Sequence, residues 1–401
     1  MMDALLVGID VGCRQHRVAI GTSDGILVDQ FDLNHQPTSL ASFFVRVEKQ
    51  AVKYDLPVSI GMEGYGGWAR PLDEMILDKG WELLNVNNLK LARYKEIFPS
   101  PAKTDAIDAR KILELMRLRP LLPKAKEILN EVIRAPQVNH QMKLLTRRRR
   151  RLIDERVMLV SRMYSDIQGI APGLLEITGS IDNCWFLNFL TAKDSFEKLL
   201  RMRKSSIAKI KSVGRKYAKL IRQWQETAQL SSDAPIIGNM VIEDAHRVLA
   251  LSEKIKQIQA QLQNLMPQSQ MAICIESITG FGLVCATELA GEIGSIQRFS
   301  SESALARYIG MAPLDNSSGI HTGAKGGRQV NRRAKAAMMT AVARHYFHTP
   351  ESNNYYKKKR AEGKKHNQAV RSLGRHITRI IWSLVKNDRT YKIREKSKEN
   401  S

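Results

Sequence analysis

Three short β-rich runs open the chain, Leu5 to Ile9, Arg17 to Thr22 and Ile26 to Leu33, parted by turn residues at Gly12 and at Ser23, Asp24 and Gly25. Runs this short and this close read as an antiparallel meander. The period then changes. A helix is predicted over Thr38 to Val52, a strand over Val58 to Met62, a helix over Trp68 to Leu77, a strand over Trp81 to Val86 and a helix over Thr104 to Leu118.

The order β-β-β-α-β-α-β-α is that of a ribonuclease-H-like α/β fold. In such a sheet the first and fourth strands are neighbours, so the acids that end them, Asp10 and Glu63, can converge at one sheet end. Asp105 and Asp108 stand three residues apart on the last helix and share a face. Four converging carboxylates are a ligand set for one or two Mg²⁺ ions, hard cations that prefer oxygen, and a metal pair can polarise a phosphodiester. Taken singly, each acid reads as an ordinary solvated or capping residue. Jointly, Asp10 and Glu63 follow apolar runs that must be buried, and glycines beside both leave room for close backbone approach.

The charge balance points to the partner. Lys plus Arg number 63 against 40 Asp plus Glu, a net charge of +23 over 401 residues. A nucleic acid is the commonest polyanion that offsets such an excess. Apolar runs such as Ala4 to Ile9 are too short to span a bilayer, and no secretory leader pattern opens the chain, so no membrane and a cytoplasmic location are expected. Cys13, Cys184, Cys274 and Cys285 show no paired spacing and read as reduced thiols. Hydrophobic residues at 43% and charged residues at 26% place the chain among globular proteins of two or three domains.

From about 125 to 270 the chain reads as helical and basic. Val248, Leu251, Ile255, Ile258, Leu262 and Leu265 alternate at spacings of three and four, a heptad seam whose antiparallel partner carries Leu145, Leu152 and Leu159, interrupted by Arg147 to Arg151. Residues 169–235 read as an inserted small helical piece. The last part, from 271, contains Gly280-Phe281-Gly282 before a helix, either a phosphate-holding helix-hairpin-helix turn or a plain tight turn. Val370, Leu373, Ile377, Ile381 and Leu384 mark a core-packing helix. Arg147, Arg148, Arg149, Arg150 and Arg151, and the cluster Lys357 to Arg360 with Lys364 and Lys365, are candidate phosphate contacts, with Tyr355 and Tyr356 placed to stack on a base. A solvated charged face is the alternative for both clusters.

The segments Gly8-Ile9-Asp10-Val11, Met62-Glu63-Gly64 and Lys103-Thr-Asp105-Ala-Ile-Asp108-Ala-Arg110 resemble the three motifs of DEDD-type insertion-sequence transposases, relatives of Piv-type DNA invertases. Gly310 to Gly319, the loop Lys325-Gly326-Gly327-Arg328 and the helix start Asn331-Arg332-Arg333 resemble the second domain of the same family. The resemblance implies a RuvC-like domain at 1–124, a basic helical and coiled-coil region at 125–270, a mainly α-helical serine transposase domain at 271–388 and a charged tail at 389–401. It implies Ser318 as nucleophile, with Ser317 one residue away, and the acidic quartet as the Mg²⁺ site. Lys103, Arg110, Gly280, Gly282, Lys325, Arg328, Arg332 and Arg333 are expected on nucleic acid.

The resemblance further implies donor and target DNA as substrates, a structured noncoding bridge RNA as guide, a nucleoid-associated location, and a dimer or tetramer whose active sites are shared between protomers. Three rivals differ in chemistry. A RuvC-like nuclease or junction resolvase would use activated water and no covalent adduct. An actin-like ATPase would share Gly8 to Gly12 as a phosphate loop, yet that class needs a Gly-rich adenosine motif beside a second Asp-x-Gly phosphate loop, and no such adenosine motif is present. A structural nucleoid-binding protein would explain the charge but not the acids.

Overall fold

The computed structural model describes residues 3–97, 105–121, 128–315, 324–327 and 330–392. Two compact units meet in sequence at Arg134 and Ala135.

The first unit contains β1 (Leu5–Val11), β2 (Gln15–Thr22), β3 (Leu27–Asn34), α1 (Pro37–Tyr54), β4 (Val58–Glu63), α2 (Arg70–Asp78), β5 (Glu82–Val86), α3 (Asn88–Ile97), α4 (Asp105–Leu118) and β6 (Leu129–Glu131). The sheet order is β3-β2-β1-β4-β5-β6. Strands β1, β2 and β3 form the antiparallel meander, while β1, β4 and β5 run parallel, as required when helices cross over between them. This mixed α/β sheet is consistent with the ribonuclease-H-like class. Two elements escaped the sequence pattern. Helix α3 lacks a clean apolar stripe, and β6 is a three-residue edge strand pairing antiparallel with β5.

Alternation along the strands divides the apolar residues between two cores. Leu5, Val7 and Ile9 of β1 and Val58, Ile60 and Met62 of β4 point to the face covered by α1 and α2. Leu6, Leu84 and Val86 point to the other, against Ile112, Leu113 and Met116 of α4. On that second face Gly8 and Gly61 are register partners. A Cβ on Gly8 would lie 2.5 Å from the Ala109 carbonyl oxygen, and one on Gly61 would lie 2.6 Å from Met116 Sδ. The helix backbone therefore rests on the bare strands.

The second unit is largely helical: α5 (Gln137–Ile170), α6 (Leu174–Thr178), α7 (Cys184–Leu190), α8 (Phe196–Leu200), α9 (Lys204–Ala208), α10 (Gly214–Thr227), α11 (Ala234–Leu265), α12 (Gln270–Glu276), α13 (Leu283–Ile293), α14 (Glu302–Tyr308), β7 (Pro313–Asp315), β8 (Ala324–Gly326), α15 (Arg332–His348), α16 (Pro350–Ala361) and α17 (His366–Lys386). Helices α5 and α11 lie antiparallel. Asn139 pairs with Ser269, Arg156 with Ser252 and Arg162 with Asp244, so the two sequences run in opposite directions along one line of contacts. Val248, Leu251, Ile255, Ile258 and Leu262 are buried with Leu152 and Leu159, while Leu145 and Leu265 are half-buried. The helical middle and the part after 270 share one apolar core.

The seating of α4 yields a test. Gly8→Ala sets a methyl against backbone that cannot yield, so it should lower stability by about 1–3 kcal/mol in urea unfolding. Gly61→Ala meets the flexible end of Met116 and should lose less. Equal, negligible losses at both positions would mean that α4 is not held on these glycines.

Candidate active site

Asp10 and Glu63 are register partners on the parallel pair β1 and β4. Paired residues of parallel strands point to the same side, and by the alternation above that side is the one facing α4. The direction of α4 follows from what its residues cover. Ala109 lies over Gly8, and Arg117 lies over Gly21, with its Nε donating to the Thr22 carbonyl at 3.0 Å. Because Gly21 pairs with Leu6, α4 runs back from the Asp10 end toward the start of β1. Its first turn, with Asp105 and Asp108, therefore stands at the sheet end that carries Asp10 and Glu63. The helix N-terminus favours negative charge at that place. Asp108 is half-buried, and the side chain of Asp105 lies outside the described residues. Among the described residues no three His, Cys, Asp or Glu side chains close on a single point. The two in-register carboxylates are oxygen donors of the kind a hard divalent cation takes.

A cleft of about 320 Å³ opens beside them, lined by Asp10, Val11, Glu63, Gly64, Gly67, Trp68 and Asn88. Trp68 and Asn88 were not anticipated, though an exposed tryptophan directly after the Gly64–Gly67 run was a signal. Trp68 is 61% exposed at the cleft edge. The glycine turn before it is tied down from below. Asp73 of α2, 3% exposed, accepts the Gly66 N–H at 2.7 Å. Burial pushes the Asp73 carboxyl up to about 6, against the smaller opposing effect of that hydrogen bond.

The basic residues divide into two kinds. Arg147 donates from Nε and Nη2 to Glu292 at 2.6 and 2.8 Å, and Arg150 donates to Glu288 at 2.9–3.1 Å. The Glu292 side chain is fully buried and that of Glu288 nearly so. Burial raises both carboxyls, but at Glu292 the hydrogen bonds from Arg147 and Asn331 outweigh it and hold the group below the usual range, whereas Glu288 stays raised. Breaking such a pair strands a buried charge, a loss of about 3–5 kcal/mol. Arg147 and Arg150 are thus rivets between α5 and α13, which corrects their reading as members of a uniform phosphate-contacting run. Arg148 and Arg151 are exposed.

Arg149 and Arg150 also line a cavity of about 720 Å³ with Gly280, Gly282, Arg344 and His348. Two motifs far apart in sequence thereby share one basic wall. Gly282 is exposed, whereas Gly280 is needed for packing, since a Cβ there would lie 2.6 Å from the His345 nitrogen. Arg344 and His348, one turn apart on α15, were not among the residues the sequence singled out.

Asn331 caps α15 by accepting from the Arg333 and Ala334 N–H groups, and it donates to Glu292 at 2.7 Å. Arg332 is exposed in the first turn and Arg333 half-buried. Arg110 is exposed and donates twice to Gln30, at 2.9 and 2.6 Å. Tyr356 is not available as a stacking platform as expected, because its ring lies 4.2 Å from Tyr346, nearly parallel, and its hydroxyl bonds His366. Tyr355 is engaged with His376 and Lys359. Lys359 and Lys364 pair with Glu362. Lys103, Ser317, Ser318 and Arg328 lie outside the described residues, and so does the side chain of Lys325 on β8. The four cysteines are free, and among the described residues no helix is long and apolar enough to cross a membrane.

Comparison with known proteins carries the reading from geometry to class. Residues 7–172 match the DEDD-type family model described as Transposase, and residues 272–357 match the model described as Transposase IS116/IS110/IS902 family. The chain is 25% identical over 400 residues to the insertion element IS116 uncharacterized 44.8 kDa protein of Streptomyces clavuligerus, covering 97% of this chain and 96% of that one. It is 25% identical over 406 residues to the insertion element IS110 uncharacterized 43.6 kDa protein of Streptomyces coelicolor, covering 97% and 96%. It is 23% identical over 399 residues to the insertion element IS900 uncharacterized 42 kDa protein of Mycobacterium paratuberculosis, covering 98% of each. Fold, acids and matched spans together define a DNA transposase, an enzyme that cuts and rejoins DNA. The chain belongs to the IS110/IS116 family of insertion-sequence transposases. That membership replaces the actin-like ATPase alternative.

Asp73, beneath the glycine turn, supplies a pH test. Its folded-state value of about 6 lies above the unfolded one, near 4, so between those values the folded chain keeps a proton that the unfolded chain has released. Stability from this group therefore falls as the pH rises from about 4 to about 6 and is flat above. The stability of the wild type relative to Asp73→Asn should decline by up to about 3 kcal/mol across that window, read by urea unfolding at each pH. A difference constant from pH 4 to pH 8 would contradict the burial assigned to this carboxyl.

Proposed function

We propose that this transposase exchanges DNA strands through a serine nucleophile, Ser318, acting with the carboxylates Asp10, Glu63, Asp105 and Asp108. The observation that carries the acidic half is the register pairing of Asp10 with Glu63 on the face that α4 covers. These oxygen donors would hold Mg²⁺, which when bound would supply positive charge to the non-bridging phosphate oxygens. The chain's own part is to fix the carboxylates on two strand ends and one helix start, elements that packing holds rigid. The serine hydroxyl attacks phosphorus and gives up its proton, a serine–phosphate bond replaces the bond to the sugar oxygen, and the displaced sugar hydroxyl takes up a proton. Reversal by another strand's hydroxyl rejoins the DNA without loss of bond energy. The serine half rests on the family resemblance of Gly310 to Gly319.

Nucleic-acid contact falls to the cavity edged by Arg149, Arg344, His348 and Gly282, to the exposed Arg148 and Arg151, and to the start of α15 at Arg332. Lys103, Lys325 and Arg328 join them on the resemblance alone. The net charge of +23 and the resemblance support a structured noncoding guide RNA, with base pairing reading sequence and the protein binding backbone. The α5 and α11 pair would serve as a coiled coil in protein association, in a dimer or tetramer that works on nucleoid DNA in the cytoplasm.

The test is covalent trapping. Ser318→Ala should abolish the protein–DNA adduct while Ser317→Ala keeps it, and Asp10→Ala or Glu63→Ala should slow cleavage by at least about a hundredfold with DNA binding intact. Mixing Ser318→Ala with Asp10→Ala checks whether serine and acids act from different protomers, since only then does activity return. Adduct from Ser318→Ala but not Ser317→Ala would move the nucleophile by one residue. Full cleavage by both serine variants would leave the water-using nuclease in its place.

A further inference from the structure

Helices α6 to α10 join α5 to α11 and fold around their own apolar side chains, among them Phe186, Phe189, Phe196, Ile207, Ile221 and Trp224. From Lys198 to Gln225 this piece contains no acidic residue and ten Lys and Arg. Three are matched by flanking acids, Lys198 with Asp194, Arg201 with Glu197 and Arg222 with Glu226. The other seven are exposed and, among the described residues, make no ion pair. Arg203 and Lys204 stand at the start of α9, Lys209 and Lys211 in the turn after it, and Arg215, Lys216 and Lys219 on the first turns of α10.

The fold concentrates them. Ser212 and Gly214 both take positive φ, 68° and 64°, so the chain reverses sharply between α9 and α10, which pack on each other. Ile207, Val213, Ala218 and Ile221 take the inward positions and leave the cations outside. Like charges gathered this way repel one another unless a polyanion covers them.

The character of the surface selects that polyanion. Its rings are occupied inside, with Trp185 and Tyr217 stacked at 3.9 Å and the Trp224 indole donating to the Pro172 carbonyl. No exposed aromatic on α6 to α10 offers a platform for unpaired bases. Nor is there the broad apolar face that a cationic helix needs to enter a lipid surface, since Leu220 is the one large apolar side chain there counted as exposed. What remains is contact with regularly spaced phosphates, and a transposase acts on DNA, whose duplex form presents them.

We propose that the α9–α10 corner is an auxiliary clamp for duplex DNA, gripping the phosphate backbone without reading sequence and independently of the acidic cleft. The experiment uses the full chain, with Lys209, Lys211, Arg215 and Lys216 all changed to Gln, or in a second variant all to Glu. Binding of a labelled duplex of arbitrary sequence is measured across a salt series, beside single-stranded DNA and an RNA hairpin. The Gln variant should flatten the slope of log affinity against log salt by about 3.6 for duplex DNA, the loss of roughly four phosphate contacts, and the Glu variant should bind more weakly still. Asp10→Ala should leave the slope unchanged, which separates this claim from the fate of the catalytic reading. Should a variant fail to fold, a photo-crosslinker placed at Lys211 in the otherwise unchanged chain gives the answer through crosslinking to duplex DNA. An unaltered slope, a loss confined to RNA or to single strands, or no crosslink to duplex would overturn the proposal.

Discussion

The close seating of α4 on the glycine pair Gly8 and Gly61 is the contact on which the acidic end of the first unit depends. Side chains at those two positions would lift the helix by the depth of a methyl group or more. With the strands bare, Ile112, Leu113 and Met116 interlock with Leu6 and Leu84, and the apolar burial that stabilises the sheet also fixes where α4 begins. One pleat further along the same strands, the residues facing α4 are no longer glycines but Asp10 and Glu63. The packing glycines and the paired carboxylates are thus two consecutive steps of one alternation.

In the second unit electrostatics is divided between structure and surface. Arg147 and Arg150 reach Glu292 and Glu288, and Asn331 links Glu292 to the N-terminus of α15, so one buried carboxylate ties three helices together. A charge desolvated so thoroughly persists only when matched by oriented donors. The neighbours Arg148 and Arg151 point outward. A five-residue run in sequence thereby becomes two internal rivets and a surface, and its effective charge toward a ligand is smaller than its composition.

Much of the first unit was legible because short β-rich runs and the turn residues between them mark strands even where both faces are buried. The convergence of Asp10 and Glu63 at one sheet end followed from the strand order, and the structure adds their register pairing. Helix α3 was invisible because its ten residues lack an apolar stripe, and with it went Asn88, one wall of the cleft. Asp73 was passed over for a different reason: a buried acid announces itself only when three-dimensional burial is known. The Arg147–Glu292 and Arg150–Glu288 pairs join residues more than a hundred positions apart, which no local pattern encodes. Gly280 was read as a turn residue, and it both takes a positive φ of 90° and is needed for its small size.

The central proposal is that two strand ends and one helix start hold a single cation. Replacing Mg²⁺ by Fe²⁺ and generating hydroxyl radicals with ascorbate and peroxide cuts the backbone near the bound ion, independently of any DNA chemistry. The expected result is cutting beside Asp10, beside Glu63 and within the first turn of α4, suppressed by excess Mg²⁺ and lost in Glu63→Gln. Cuts confined to one of these segments, or centred elsewhere in the chain, would contradict the shared site.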